Sequence, residues 1–383
     1  MRGRTIQILA AACCALLLLL GLCRGLLSPE SEILYENRPA KRMPAFSPAD
    51  FLRGDFQAEA EDALADQLPA AIKQKKLYNI FDAGAALPVI RALGRDGGYI
   101  GFRDVCFYGD MLVVRPVALA DRAEALGQAA ALINAWAGQN PGVEFYVYYI
   151  ETDKDIDFDS GEKSGLFSSL SAALALPEGH TARLKLESFD DYRRLFLKTD
   201  HHWNADGARD AYLALCGMLG CEPLPCRGQH TVAGRYRGTR AAGVEGVPAE
   251  DFSISLYDWP EMRYETVGGQ IADYGMQEAF AADALESFSY GSVYGGDLGE
   301  LVVRAESGDR TLLVLGDSYD NALVKTLSAG FRECRFVDLR AYEAETGQAF
   351  DMARYLAEHR IDAVLLIGGV DYFSGTLIAQ GGS

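Results

Sequence analysis

Apolar residues along this chain recur every three or four positions in some stretches and run nearly unbroken for five to eight residues in others. From Pro48 to Leu68, Leu52, Phe56, Ala60, Ala63, Leu64 and Leu68 recur at helical spacing behind Ser47, which suits an N-cap. The stretch Gly94–Pro116 mixes turn glycines with β-favouring residues and predicts one or two short strands. Over residues 121–137, Ala125, Leu126, Ala129, Leu132, Ile133 and Trp136 share one helical face, which ends at the turn signal Gln139-Asn140-Pro141-Gly142. The β-rich run Val143–Ile150 follows. The same order returns late in the chain. Strand Thr311–Leu315 leads to Gly316-Asp317-Ser318 and a helix through Ala322, Leu323, Thr326 and Leu327. Then come strand Arg335–Leu339, a helix from about 344 to 359 and strand Ala363–Ile367. Near-continuous apolar strands alternating with helices predict an α/β fold whose parallel sheet is covered on both faces. Residues 227–305 break the pattern with frequent glycines and irregular apolar spacing, and read as a loop- or β-rich insertion.

The first 27 residues differ from everything after them. Arg2 and Arg4 precede an apolar run that holds five consecutive leucines, Leu16–Leu20, and that is polar only at Thr5 and Gln7. A basic start followed by such a run is the pattern of an export signal or signal anchor. No small-x-small cleavage site stands out around Gly21-Leu22-Cys23-Arg24, so an uncleaved transmembrane anchor over residues 1–27 is expected. The leading arginines place the N-terminus in the cytoplasm and the rest outside. Ser28–Ser47 reads as a juxtamembrane linker, so that residues 28–93 form a linker and helical region ahead of an α/β domain spanning 94–383.

Composition then narrows the function classes. The 383 residues carry 36 basic against 54 acidic side chains, a net charge of −18, with no basic stripe, which argues against nucleic-acid binding. Setting aside Arg2, Arg4 and Arg24 leaves 33 basic residues against 54 acidic ones, −21 on the exported part. Such a body is repelled by highly acidic polymers, so a neutral or modestly acidic polymer is the expected partner. Five cysteines, Cys106, Cys216, Cys221, Cys226 and Cys334, lie beyond the anchor. Their spacing does not suit zinc. A local Cys221–Cys226 disulfide is open, with Cys216 and Cys334 expected as buried thiols.

Two motifs carry candidate chemistry. Gly316-Asp317-Ser318-Tyr319 lies where an apolar strand gives way to a helix, the place where open α/β sheets gather catalytic groups. There Ser318 can be a nucleophile or, with Asp317, a helix cap. Thr199-Asp200-His201-His202-Trp203-Asn204 holds two of the five histidines and precedes the amphipathic pattern of Ala208, Ala211, Tyr212, Leu215 and Leu219. Asp200 can orient His202 as a general base. The pair can equally ligate a metal with Asp200, Asn204 or Asp206 can cap the helix, and Trp203 can serve packing. Together the motifs supply a hydroxyl, a base and an orienting acid, the set needed for acyl transfer or ester hydrolysis. The acidic run Asp153–Asp159 lacks the glycine and terminal glutamate of a calcium loop and reads as a solvated loop. Gly161–Gly165 lacks the lead of a phosphate loop and reads as a turn.

TDHHWN before an amphipathic helix, and GDSYDN after an apolar strand, resemble the DHHW protein family and, more distantly, the alginate O-acetyltransferase group of SGNH hydrolase-like proteins. Glu36-Asn37-Arg38, Gly54-Asp55-Phe56, Asp66-Gln67-Leu68-Pro69, Val337-Asp338-Leu339-Arg340 and Val370-Asp371-Tyr372-Phe373 resemble family landmarks, so the likeness covers most of the exported part. The resemblance implies a three-layer, SGNH-like (flavodoxin-like) sheet with Asp-His placed before Ser, a permuted order. It implies Ser318 as nucleophile, His202 as base and Asp200 as its partner. His201, Trp203 and Tyr319 become substrate-side candidates. The Ser318 N–H with Asn321 would form the oxyanion site, and Arg340 would hold a substrate carboxylate or pair with an acid. No cofactor is implied. The expected activity is an extracytoplasmic O-acyltransferase or esterase acting on acyl groups, acetyl above all, of a cell-envelope or secreted polysaccharide, with a membrane partner exporting the acyl donor. The alternative is a non-catalytic envelope protein that binds glycan on the same fold.

Overall fold

The computed structural model describes residues 2–27, 32–33, 38–67, 98–102, 104–241, 247–276, 288–305 and 307–381, with isolated positions 77, 85, 88, 89, 92 and 244. Glu36, Asn37, Leu68 and Pro69 lie outside the described residues. The chain divides into two compact units, Met1–Ala92 with Thr239–Val247, and Leu93–Gly238 with Pro248–Ser383.

In the first unit Arg2–Leu27 forms a single helix. Among the described residues no helix is long and apolar enough to cross a membrane; of this helix the longest stretch of described side chains is Ala11–Leu20, which is exposed throughout. Strands β1 (Glu32–Ile33) and β2 (Arg38–Pro39) pair antiparallel. The expected Pro48–Leu68 helix is two helices, Pro48–Arg53 and Asp55–Gln67. Ser47 caps the first through its hydroxyl and the Asp50 N–H, 3.4 Å apart. Gly54, at φ +90°, breaks the run, because that left-handed conformation ends one helix and re-aims the next.

The second unit is built on one eight-stranded mixed sheet. Its strands are β6 (Glu144–Ile150), β7 (Thr181–Leu184), β10 (Met262–Thr266), β11 (Gly269–Ile271), β12 (Leu301–Ala305), β13 (Thr311–Gly316), β14 (Glu333–Asp338) and β15 (Ala363–Gly368), in the spatial order β11-β10-β12-β14-β13-β15-β6-β7. From β14 to β7 all neighbours are parallel; β12, β10 and β11 extend one edge antiparallel. The sequence predicted a parallel sheet with a loop- or β-rich insertion at about 227–305; three strands of that stretch join the sheet and make it mixed. Counting the β13, β14, β15, β6, β7 strands as first to fifth gives the order 2-1-3-4-5 of flavodoxin-like sheets. Here the fourth and fifth come earliest in the chain. The permuted order is therefore a property of the sheet, and in sheets of this order the reversal beside the first strand, here β13, is where ligands gather at the carboxyl end.

Alternate side chains of the strands feed two cores. Tyr146, Tyr148, Ile150, Leu312, Val314, Leu365 and Ile367 pack with the helix Ala205–Leu219, while Phe145, Val147, Tyr149, Leu313, Leu315, Val364 and Leu366 pack with the helix Ala123–Gln139. Near-complete burial on both faces is what an apolar run without alternation dictates. The remaining strands lie apart: β3 (Ile100–Phe102), β4 (Val105–Tyr108) and β5 (Met111–Val113) form a meander, where one or two strands were predicted. A long ribbon pairs β8 (Cys226–Tyr236) with β9 (Glu250–Tyr257).

Three further expectations change. The helix after Ser318 is a 3-10 turn, Asp320–Leu323, followed by the short helix Val324–Ser328. The 344–359 helix is two, Leu339–Thr346 and Met352–Glu358, divided where Gly347 turns left-handed and Asp351 caps anew. The acidic run Asp153–Asp159 is not wholly solvated. Asp153 accepts the Val114 N–H at 2.7 Å, and Asp155 accepts the Tyr149 hydroxyl at 2.7 Å and the Thr152 N–H at 2.9 Å. Both carboxyls are buried, and burial raises the Asp155 pKa to about 7.

Candidate active site

The Asp-His motif sits in a closed loop. Phe196 and Trp203 form an antiparallel bridge, with the Leu197 N–H on the His202 carbonyl at 3.0 Å and the Asn204 N–H on the Leu195 carbonyl at 2.8 Å. Asn204 then caps the helix Ala205–Leu219, its side-chain oxygen accepting the Asp206 and Gly207 N–H groups at 3.0 and 3.1 Å. Gly207 is required at this crossing, since a Cβ there would meet the Leu195 carbonyl at 2.3 Å. Glu250, on β9, ties the loop's other arm by accepting the Lys198 and Thr199 N–H groups, both at 2.7 Å.

Within this frame the structure brings Asp200, His202 and Ser318 into one line. His202 Nδ1 lies 2.9 Å from Asp200 Oδ1, and His202 Nε2 lies 2.7 Å from Ser318 Oγ, across 116 positions of sequence. Ser318 stands immediately beyond the carboxyl end of β13. Its hydroxyl engages His202 and caps no helix, which decides between the two readings of the motif. Asp317 makes the local turn instead, accepting the Tyr319 N–H at 3.2 Å.

The electrostatics assign the protons. Burial alone would raise the Asp200 pKa, but the two neighbouring histidines and their hydrogen bonds hold it well below the usual carboxylate range. Its carboxylate also accepts the Tyr236 hydroxyl and the N–H groups of His201 and His202. An ionised carboxylate only accepts, so Nδ1 of His202 carries the proton and Nε2 is left to accept from Ser318. Burial, followed by the adjacent His201, pushes the His202 pKa below its ordinary 6.5, with Asp200 opposing. The imidazole is thus neutral at pH 7, as a base requires.

Residues from the poorly patterned insertion complete the surroundings, and sequence reasoning missed them. The Tyr290 ring stacks on His202, with centroids 3.9 Å apart and planes 6° from parallel, and its hydroxyl accepts the Trp203 Nε1–H at 3.1 Å. Tyr236 binds Asp200 from β8. Gly238 leaves the room Asp200 needs, since a Cβ there would fall 2.3 Å from the Asp200 Cβ. No spacing rule links these tyrosines to the motif; the glycines of the insertion were the only visible signal of a close approach.

The remaining candidates separate. Trp203 is fully buried and serves packing, and Tyr319, also buried, donates to the His201 carbonyl at 2.6 Å. The His201 side chain is 40% exposed beside the line, with its Nδ1 3.1 Å from Asp200 Oδ1 and its ring against His202. Asn321 does not fit the oxyanion role: its Nδ2 donates to Asp297 at 2.9 Å and its oxygen accepts the Tyr274 hydroxyl at 3.0 Å. Among the described residues the Ser318 N–H has no backbone acceptor. Arg340 pairs with acids, holding Asp338 through Nε and Nη2 and Asp297 at 2.8 Å. Tyr274, Asp297, Asp317, Asp320, Asn321 and Asp338 line a small, mostly acidic hollow. Burial raises the Asp317 pKa to about 6, against the pull of Arg340, and that of Asp320 well above the usual range.

Asp200, His201 and His202 also offer ligand atoms within 4.8 Å of one another, the spacing a metal ion needs. The fit is poor. Both ring nitrogens of His202 are already committed, and an ion would have to break one of those bonds.

A flavodoxin-ordered sheet with a Ser-His-Asp line at its reversal point defines the fold and the site. No family model matches the chain, and no characterised protein sequence matches it. Solved structures do. Over 72% of this chain and 94% of its own, a DHHW family protein from Eubacterium siraeum is similar at 17% identity and a TM-score of 0.56. Bacillus cereus PatB1 with a sulfonyl adduct is similar over 73% and 97%, at 19% identity and a TM-score of 0.57. The O-acetyltransferase domain of Pseudomonas putida AlgJ matches 73% of this chain and 93% of its own, at 14% identity and a TM-score of 0.38. The first two likenesses show a shared mixed α/β fold with a large, mainly parallel sheet.

Proposed function

We propose that the protein is a serine-dependent O-acyltransferase or esterase acting on acyl groups, chiefly acetyl, of a cell-envelope or secreted polysaccharide. The observation that carries this reading is the hydrogen-bonded line Ser318–His202–Asp200 at the carboxyl end of β13. As Ser318 Oγ attacks the acyl carbon, its proton passes to His202 Nε2, and Asp200 stabilises the imidazolium that results. The oxygen that gains charge faces the Ser318 N–H. Collapse breaks the donor C–O bond, the leaving oxygen takes the proton from His202, and an acyl-Ser318 remains. A sugar hydroxyl or water then gives its proton to His202 and attacks the acyl carbon; as the acyl–Oγ bond breaks, His202 returns that proton to Ser318. In this reading His201, partly exposed beside Asp200, contacts the acceptor.

In this proposal the apolar helix Arg2–Leu27 anchors the protein and the α/β unit works outside the cytoplasm, where a membrane partner must supply the acyl donor. The structural neighbours support an acyltransferase-type fold at the level of class. The test is acetate release from a generic acetyl ester by the purified chain and by Ser318→Ala and His202→Ala. The proposal expects a fall of about 10⁴-fold or more in each variant; equal rates in all three overturn it and leave a glycan-binding module.

A further inference from the structure

The helix Ala205–Leu219 ends at Gly220, which is left-handed at φ +70°. The Cys216 carbonyl accepts the Gly220 N–H and, at 3.0 Å, the Cys221 N–H. That second bond, reaching back from two residues past the last turn, is the Schellman closure, which brings the side chains of its two end positions together. In most helices the contact is between apolar groups. Here it is thiol against thiol. The closure holds the two Cα atoms about one helical turn apart, the separation a disulfide spans.

We propose that Cys216 and Cys221 form a redox-active dithiol that closes to an intrachain disulfide on meeting a disulfide oxidant. The pair is asymmetric in the way such chemistry needs. Cys221 is half-buried, and Arg310 stands at the same helix end, its Nη1 donating to the Leu219 carbonyl at 2.9 Å. The hydrogen bond from Cys216, with the Arg310 charge, holds the Cys221 thiol below its usual range, while that same contact and burial push Cys216 up. Cys216 is buried and Cys221 is partly exposed, so Cys221 is the sulfur that an oxidant reaches and the one that attacks. Its thiolate attacks one sulfur of the oxidant and breaks that S–S bond, releasing one thiol. Cys216 then loses its proton and attacks the Cys221 sulfur, expelling the second thiol. Two protein thiols are oxidised and one disulfide is reduced.

The pairing read from sequence, Cys221 with Cys226, is not the one the fold prepares. Cys226 is exposed on β8 with its Sγ turned to the Gly228 carbonyl at 3.3 Å. The bond would staple the far end of the helix that begins three residues after His202. It is independent of the Ser318 reading and tested separately.

The full chain, and the full chain carrying Cys226→Ala, are incubated with oxidised glutathione, alkylated and cleaved with cyanogen bromide, which cuts after Met218 and so between the two cysteines. The expected result is that the flanking fragments stay joined until reduced, in both proteins, and that Cys216→Ser instead traps a glutathione adduct at Cys221. Fragments that separate without reduction, joining that is lost in Cys226→Ala, or a fragment map linking Cys221 to Cys334 overturns the proposal.

Discussion

Asp200→Asn is the most informative single change. The substitution keeps the side chain's size while removing its charge. In one orientation the amide oxygen still accepts from His202 Nδ1 and the amide nitrogen turns to the Tyr236 hydroxyl. In the other, the amide nitrogen faces Nδ1 and forces the proton onto Nε2, so that Ser318 has no base. In the first orientation the loss is electrostatic. The developing imidazolium and the carboxylate are 2.9 Å apart in a buried site. At an effective dielectric constant of about 20 and about 3 Å, two unit charges attract by about 5 kcal/mol, or about 10⁴ in rate. Acetate release is thus expected to fall about 10⁴-fold. The pH profile provides a second reading. His202 must be neutral to act, and Asp200 is the group that raises its pKa against burial and His201. Removing that charge lowers the pKa further, so the acid limb of the residual rate moves to lower pH while the plateau drops. A folded Asp200→Asn protein within about tenfold of the unaltered rate, or an acid limb that moves up, would refute the reasoning.

A sulfonyl fluoride is expected to label Ser318 stoichiometrically, with labelling absent in Ser318→Ala and strongly slowed in His202→Ala; peptide mapping that finds the adduct elsewhere contradicts the nucleophile. Gly238→Ala drives a Cβ into Asp200 and is expected to cost about 1–3 kcal/mol in urea unfolding and to lower the rate by displacing the carboxylate. For Asp317 the folded pKa, about 6, lies above its ordinary 3.8, so its contribution to stability is present below about pH 4 and lost as pH rises through about 6. Asp317→Asn is therefore expected to stabilise the protein by about 3 kcal/mol at pH 7.5 relative to the unaltered chain, with the difference gone near pH 4; equal stabilities at both pH values would show the carboxyl to be solvated.

Much of the fold could be read along the chain because it is encoded locally. The unbroken apolar runs of β6, β13, β14 and β15 announce strands buried on both faces, and the stripe from Ala125 to Trp136 announces the helix that covers one face. Ser318 at the end of β13 and Asp200-His202 before an amphipathic helix were likewise visible as chemistry. The helix breaks at Gly54 and Gly347 were less so, since apolar spacing continues across a residue that needs only a positive φ to end the turn.

What the sequence by itself determined was the set of candidate groups and the elements that carry them, because periodicity, caps and turn residues act over a few positions. Only the tertiary structure decided which groups meet. The 2.7 Å contact of His202 with Ser318 depends on β7, β6, β15 and β13 lining up across the sheet, and strand order is a matter of non-local pairing. The roles of Tyr236, Tyr290 and Gly238 follow from a segment whose spacing predicted nothing. Asn321 and Arg340 were candidates by residue type and were taken out of the reacting line by Asp297, Tyr274 and Asp338. Burial of a polar group is set by its neighbours in space, and a one-dimensional pattern does not contain them.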